Sequence, residues 1–356
     1  MRVLVAPDKF AGTLTAVDAA RAIAAGWRRQ APDDELDLAP MSDGGPGFVE
    51  VLHAALGGSL EPVVVAGPFG DPVPATILLE GDTAYVESAQ ACGLALSGTD
   101  RPEQASTYGV GELVAAAREA GATRVVVGLG GSGTTDGGAG LLAALGATAD
   151  RPLDQGGRAL AGIGRVDLPE AGVELVAASD VENPLTGLFG AAKTFGPQKG
   201  IPEERLPAVD AVLEELAAAA GRRVALEKGA GAAGGLGYAL LLLGATRTSG
   251  LDLVASAVGL AERAHACDLV LTGEGAFDFS SRAGKVPYGV ARVAAEVLRP
   301  CVALAGQVLV GAREMRALGI ESAYSLFETV GEERAFAEPA AALADLAARV
   351  ARTWSV

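Results

Sequence analysis

Histidine and cysteine are almost missing from this 356-residue chain, which has two of the first (His53, His265) and three of the second (Cys92, Cys267, Cys301). Two histidines leave little room for a His-based metal centre or a Ser-His triad, and a GxSxG elbow is absent too. Both read as packing or surface residues. The cysteines lie in apolar context without CxxC or CxxH spacing, so neither a disulfide framework nor a zinc site is expected. Long apolar runs are also missing: the longest, 238–243, falls far short of the ~20 residues a bilayer span needs. The N-terminus reaches Asp8 too soon to form a signal peptide. Basic residues are outnumbered 28 to 44, and a net charge of −16 argues against nucleic acid or an anionic membrane as partner. What remains is expected to be a reduced, cytoplasmic, soluble protein, long enough for about two domains.

What is present begins as strand-then-helix alternation. Val3-Leu4-Val5-Ala6 reads as a buried parallel strand. Thr15, with Asp18 three residues on, opens a helix that places Val17, Ala20, Ala24 and Trp27 on one face. A second strand over 35–39 leads to Met41-Ser42-Asp43-Gly44-Gly45, and Pro46 opens a helix closed by Gly57-Gly58. From Ser59 three β-rich runs with short turns predict antiparallel hairpins and a second sheet. Mixed α/β patterning follows, and strand–helix alternation resumes over the last ~90 residues. The economical reading is one α/β domain split between the two ends, 1–58 and 265–356, with a second α/β domain inserted over 59–264.

Four apolar strands are read as ending in acid, at Asp8, Asp43, Asp180 and Glu274, with Asp278 four residues after the last. Ligands of open α/β sheets sit outside the carboxyl ends of strands, so these carboxylates can share a crevice, and hard oxygen ligands suit Mg²⁺. The plain alternative is that each caps the helix after it. A glycine-rich loop, 128–138, follows a strand and opens a helix whose backbone amides can cradle an anion; close helix–sheet packing is the alternative. GxGxxG matches occur twice, from Gly128 and from Gly229, but neither leads to an acid-ended strand, so a dinucleotide fold fails its context test. There are only five lysines, and Lys199, Lys228 and Lys285 each adjoin glycine, while Lys9 follows Asp8. A compact ammonium in a glycine loop suits a phosphate contact; Lys193 and Lys228 also read as ordinary surface lysines. No Walker A loop is present around Lys285. Tyr108 and Glu112 fall in the first turn of a helix, where an acid suits the dipole.

Together these blocks resemble the bacterial glycerate kinases of the ATP-dependent glycerate 2-kinase type. The resemblance rests on Ala6-Pro7-Asp8-Lys9-Phe10, Met41-Ser42-Asp43-Gly44-Gly45, Gly130-Gly131-Ser132-Gly133-Thr134-Thr135-Asp136-Gly137-Gly138 and Ser179-Asp180-Val181-Glu182-Asn183. It continues through Phe195-Gly196-Pro197-Gln198-Lys199-Gly200, 229–237, Thr272-Gly273-Glu274-Gly275 and Gly284-Lys285-Val286-Pro287, in family order over nearly the whole chain. It implies a flavodoxin-like parallel-sheet domain with an inserted mixed α/β domain resembling a restriction-endonuclease fold. It also implies phosphorylation of D-glycerate by ATP and Mg²⁺ in the cleft between the domains, with 2-phosphoglycerate the favoured product. Two departures stand out: Ala11 replaces a lysine frequent in relatives, and Ala276-Phe277 follow Gly-Glu-Gly where a polar residue is usual.

On this reading the catalytic set is Asp8, Asp43, Asp180 and Lys199, with Asp8 or Asp43 orienting or deprotonating the attacking hydroxyl. Asp180, with Glu274 or Asp278, takes the metal. Gly130, Gly131, Ser132, Thr134, Thr135, Asp136 and Lys285 hold the nucleotide phosphates, and Lys9 or Arg282 holds the glycerate carboxylate. The rival readings are an NAD-dependent oxidoreductase using the GxGxxG loops and a non-catalytic nucleotide-binding regulator.

Overall fold

The computed structural model describes residues 1–10, 12–278 and 285–355. In chain order its strands are β1 (Arg2–Val5), β2 (Glu35–Leu38), β3 (Ser59–Ala66), β4 (Pro72–Glu80), β5 (Thr83–Glu87), β6 (Arg124–Gly128), β7 (Thr148–Ala149), β8 (Val166–Asp167), β9 (Glu174–Ala178), β10 (Thr246–Thr248), β11 (Leu269–Phe277), β12 (Cys301–Val308) and β13 (Ser322–Ser325). The chain divides into two compact units: 1–43, 50–56 and 251–356 form the first, and 44–49 with 57–250 the second. The return crossing expected near 264 thus falls at 250, because the helical stretch that follows packs with the first unit.

The first unit holds a five-stranded sheet in the order β13-β12-β11-β1-β2, every neighbouring pair parallel. Counted within the unit this is 2-1-3-4-5, the flavodoxin-like doubly wound order. Parallel strands covered on both faces are apolar throughout, and Val3, Leu4 and Val5 are fully buried, as are Leu269, Val270 and Leu271. The helix Ala16–Gln30 starts where Thr15 Oγ1 accepts the Asp18 amide at 3.1 Å, and its buried Ala20, Ile23 and Trp27 join Leu343, Leu346 and Val350 of the helix Pro339–Trp354 in one core.

The second unit holds a six-stranded mixed sheet, β10-β9-β6-β5-β4-β3. β3, β4 and β5 form the antiparallel hairpins that the short turns predict, whereas β5, β6, β9 and β10 run parallel. The expectation of an endonuclease-like insert goes no further than this mixed sheet. One element differs from the sequence reading. β11 runs through Gly273-Glu274-Gly275 to Phe277, so Glu274 sits inside a strand, paired with Ala305 of β12, and not at its end. Gly273 makes that possible: a Cβ there would collide with the carbonyl oxygen of Leu304. Among the described residues no helix is long and apolar enough to cross a membrane.

Candidate functional site

In the first unit the chain leaving β1 stays beside β11. The amide of Ala6 donates to Leu271 O (2.7 Å) and that of Asp8 to Gly273 O (2.8 Å), while the Met41 amide donates to Pro7 O (2.9 Å). These bonds bring Asp8 next to the stretch of β11 that carries Glu274, at the β1/β11 switch point where doubly wound sheets bind ligands. Lys9 sits between two carboxylates, with Nζ 3.5 Å from Asp8 Oδ1 and 3.7 Å from Asp43 Oδ1. The Lys9 amide also donates to Asp8 Oδ1 at 2.7 Å.

Asp8 is only 6% exposed. Burial pushes its carboxyl up to about 6 against the opposing pull of Lys9, and the Asp43 charge adds to the rise. A carboxylate poised there is ionised at neutral pH and still basic enough to take a proton. Glu274 is equally buried; Lys285 Nζ lies 3.9 Å from its Oε2 and 3.7 Å from Asp278 Oδ1. The structure therefore brings together Asp8, Lys9 and Asp43, and separately Glu274, Asp278 and Lys285. Arg282, Ala11 and Gly284 lie outside the described residues.

The second unit treats its glycine-rich loop differently. Gly130 donates to Gly44 O at 3.0 Å, and a Cβ on Gly130 would collide with the backbone of Gly45, so this glycine serves close packing. The expected anion cradle at the helix start is already filled from within. Asp136, fully buried, accepts the amides of Thr107 (2.9 Å), Gly138 (3.0 Å) and Gly140 (3.2 Å) and the Thr107 hydroxyl (2.8 Å). Thr107 Oγ1 in turn accepts the Leu141 amide at 3.1 Å. Burial raises the Asp136 carboxyl while these donors hold it down. Asp136 thus braces the loop, and the helix Ala139–Ala144 has no amide to spare at Gly138, Gly140 or Leu141. Thr134 offers its carbonyl inward to Lys199, and Thr135 Oγ1 is buried without a partner among the described residues.

The other shoulder of this loop carries a buried lysine. Lys199, 2% exposed, donates to Ser132 Oγ (3.1 Å) and Thr134 O (2.6 Å) and has no carboxylate in salt-bridge reach among the described residues. Burial lowers its ammonium to about 8. With Gly130, Gly131, Ser132 and Gln198 it lines a cavity of about 340 Å³. Asp180, just after β9, accepts the Ser249 hydroxyl at 2.5 Å. Among the described residues no group of three or more carboxylate, thiol or imidazole side chains is placed to hold a metal. Lys193 and Lys228 pair with Asp210 (2.7 Å) and Glu182 (2.9 Å). Glu112 accepts the Ala66 amide at 2.6 Å. Sequence reasoning passed over Glu87, which is 6% exposed at the end of β5 and accepts the amides of Gly47 (3.0 Å) and Val49 (3.5 Å). An acid closing an apolar strand was the available signal.

The profile of the Glycerate kinase family matches residues 3–355. The chain belongs to the glycerate kinase family. A glycerate 2-kinase of Escherichia coli K12 is 38% identical over 93% of this chain and 92% of the relative. An uncharacterised protein of Mycobacterium bovis is 46% identical over 99% of this chain and 91% of the relative. A crystal structure of a candidate glycerate kinase 2 from Salmonella typhimurium LT2 superposes with a TM-score of 0.79 at 35% identity, covering 99% of this chain and 98% of that one. Membership of the glycerate kinase family makes the chain an enzyme of the kinase class, with ATP the implied phosphoryl donor.

Proposed function

We propose that this protein transfers the γ-phosphoryl group of ATP to a hydroxyl of D-glycerate, giving 2-phosphoglycerate. The observation that carries the proposal is the Asp8–Lys9–Asp43 group: a buried carboxylate held near 6, with an ammonium beside it, at the switch point of a parallel sheet. Phosphoryl transfer asks the protein mainly to position reactants and neutralise charge. Asp8 takes the proton of the attacking hydroxyl, and Asp43 and Asp8 together hold the Lys9 ammonium where it can meet an anionic oxygen. Lys285 supplies a second positive charge. Lys199, buried between neutral acceptors, holds an anionic group of a reactant with Gly131 and Ser132. Each unit thus carries a different part of what the reaction needs.

Mg²⁺ fits the donor chemistry of Glu274 and Asp278, since this ion needs only one or two carboxylates when water and phosphate oxygens complete its shell. When bound it would neutralise charge on the phosphates. Asp180, whose carboxylate accepts the Ser249 hydroxyl, is the further acid that would take part in holding the metal and its water shell. The test is purified protein with ATP, Mg²⁺ and D-glycerate, coupled through enolase without a mutase. Signal establishes both the kinase and the 2-position; signal only with mutase moves the product to C3; silence in both arrangements with a working control overturns the glycerate reading.

A further inference from the structure

Four of the five lysines pair with acids: Lys9 with Asp8 and Asp43, Lys193 with Asp210, Lys228 with Glu182, and Lys285 with Glu274 and Asp278. Lys199 is the buried one, 2% exposed, and among the described residues no carboxylate lies in salt-bridge reach of it. Asp136 acts on it from beyond that reach, and its own oxygens are taken by four hydrogen bonds from other donors. A buried ammonium without a counter-ion is costly, and a ligand can supply the missing charge. The position of Lys199 is fixed. Its amide donates to Gly196 O at 3.0 Å, and a Cβ on the following Gly200 would collide with the carbonyl oxygen of Thr99.

Two of the three Nζ–H groups are used, on Ser132 Oγ (3.1 Å) and Thr134 O (2.6 Å), and the third has no acceptor among the described residues. Ser132, 8% exposed, accepts from Lys199, and its hydroxyl proton also has no acceptor among the described residues. Both residues line the cavity of about 340 Å³, so two unfilled donors stand side by side there. A carboxylate, with two acceptor oxygens, matches such a pair. Among the described residues Lys199 is the one charged group in the lining; Leu94, Leu129, Val181 and Phe195 give apolar walls. One positive charge balances one negative charge. A nucleotide's phosphate chain brings several, most of which would be left buried without a counter-ion. The first unit offers the opposite setting, where Lys9 and Lys285 stand among four carboxylates that a divalent cation and phosphate oxygens can complete. We propose that Lys199 and Ser132 hold the carboxylate of the hydroxy-acid acceptor, and not a phosphate of the nucleotide. The proposal rests on the kinase reading above and moves the acceptor's carboxylate from Lys9 or Arg282 to the second unit.

The test compares D-glycerate with glyceramide, its neutral amide, on the full chain with ATP, following ADP release. The wild-type chain prefers glycerate by roughly 10- to 150-fold in kcat/KM, the range for a hydrogen bond to a charged group. Lys199→Met raises KM for glycerate by a similar factor, erases the preference, and leaves KM for ATP unchanged. Ser132→Ala keeps the buried ammonium and covers the case in which Lys199→Met does not fold; it raises KM for glycerate roughly 2- to 12-fold, the range for one neutral hydrogen bond. Equal use of glyceramide by the wild-type chain overturns the proposal. So does a rise in KM for ATP with KM for glycerate unmoved in either variant, which would put a phosphate on Lys199. Calorimetry with D-glycerate and no nucleotide separates this site from the kinase reading. A chain that binds glycerate through Lys199 yet makes no phosphoglycerate supports the carboxylate site and overturns the choice of reaction. A chain that makes phosphoglycerate with a glycerate KM indifferent to both substitutions keeps the reaction and overturns the site.

Discussion

Two buried aspartates, one in each unit, show how the same residue type can be used for opposite ends. Asp136 is fully buried and accepts four hydrogen bonds, three from backbone amides and one from a threonine hydroxyl. Asp8 is 6% exposed, receives only the Lys9 amide and the longer contact to Lys9 Nζ, both on Oδ1, and its Oδ2 has no donor among the described residues. Burial raises both carboxyls. In the second unit neutral, fixed donors answer the buried charge, which makes it a brace for the glycine-rich loop. In the first unit the Lys9 ammonium answers it and the second acid, Asp43, works against it, which leaves the proton exchangeable near neutral pH. A satisfied buried carboxylate builds structure; an under-satisfied one beside a lysine is available for chemistry.

Substitutions can break this contrast. The largest effect is expected for Asp8→Asn, with kcat falling about 10²- to 10⁴-fold, the usual range for loss of a positioned base. Its stability should move the other way. The folded-state pKa of about 6 lies above the ordinary value of 3.8. Ionising Asp8 therefore costs the folded state stability as pH rises from about 4 to 6, a cost fully present above that. Removing the charge should raise Tm at pH 7.5 by a few °C, with ~2–4 °C per kcal/mol expected for a domain of this size. A lower Tm in Asp8→Asn would place Asp8 with Asp136 among the braces.

Asp136→Asn comes next and should show the reverse pattern. Its amide NH₂ group would turn a donor towards backbone donors, costing about 2–4 kcal/mol in urea unfolding. The folded fraction should retain kcat within a few-fold. A hundredfold loss of kcat at unchanged stability would mean that Asp136 meets a reactant.

The pH dependence of kcat/KM should be bell-shaped. The acid limb near 6 belongs to Asp8, which must be ionised, and the basic limb near 8 to Lys199, which must be charged. The smallest effect sharpens the comparison most. In Asp43→Asn the acid limb should move to lower pH by less than about one unit, because one of the causes raising Asp8 is removed while burial remains. An unmoved or upward-shifted limb would show that Asp43 does not face Asp8 during turnover.

Local order was legible wherever a period or a cap expressed it. The helix after Thr15, the hairpins after Ser59 and the apolar strand 3–5 occur where propensity and patterning place them. Glu274 was not legible in this way, because Gly-Glu-Gly reads as a loop until β12 lies alongside and its Leu304 carbonyl excludes a side chain at position 273. The two readings of the glycine-rich loop could not be separated for a related reason. Glycine next to a strand end signals both close packing and anion binding, and only the partners of each amide distinguish them.

The sequence by itself determined which residues are available for chemistry: a few lysines, acids after apolar strands, glycines around them, and almost no histidine or cysteine. It also determined the family, since the blocks carrying these residues keep their order along the chain. Only the tertiary structure decided that Asp136 is saturated with donors while Asp8 is held up near 6 by burial. A pKa depends on how many donors reach a carboxylate and how much water does, and both are set by chain segments hundreds of residues apart, as when Gly273 accepts the amide of Asp8.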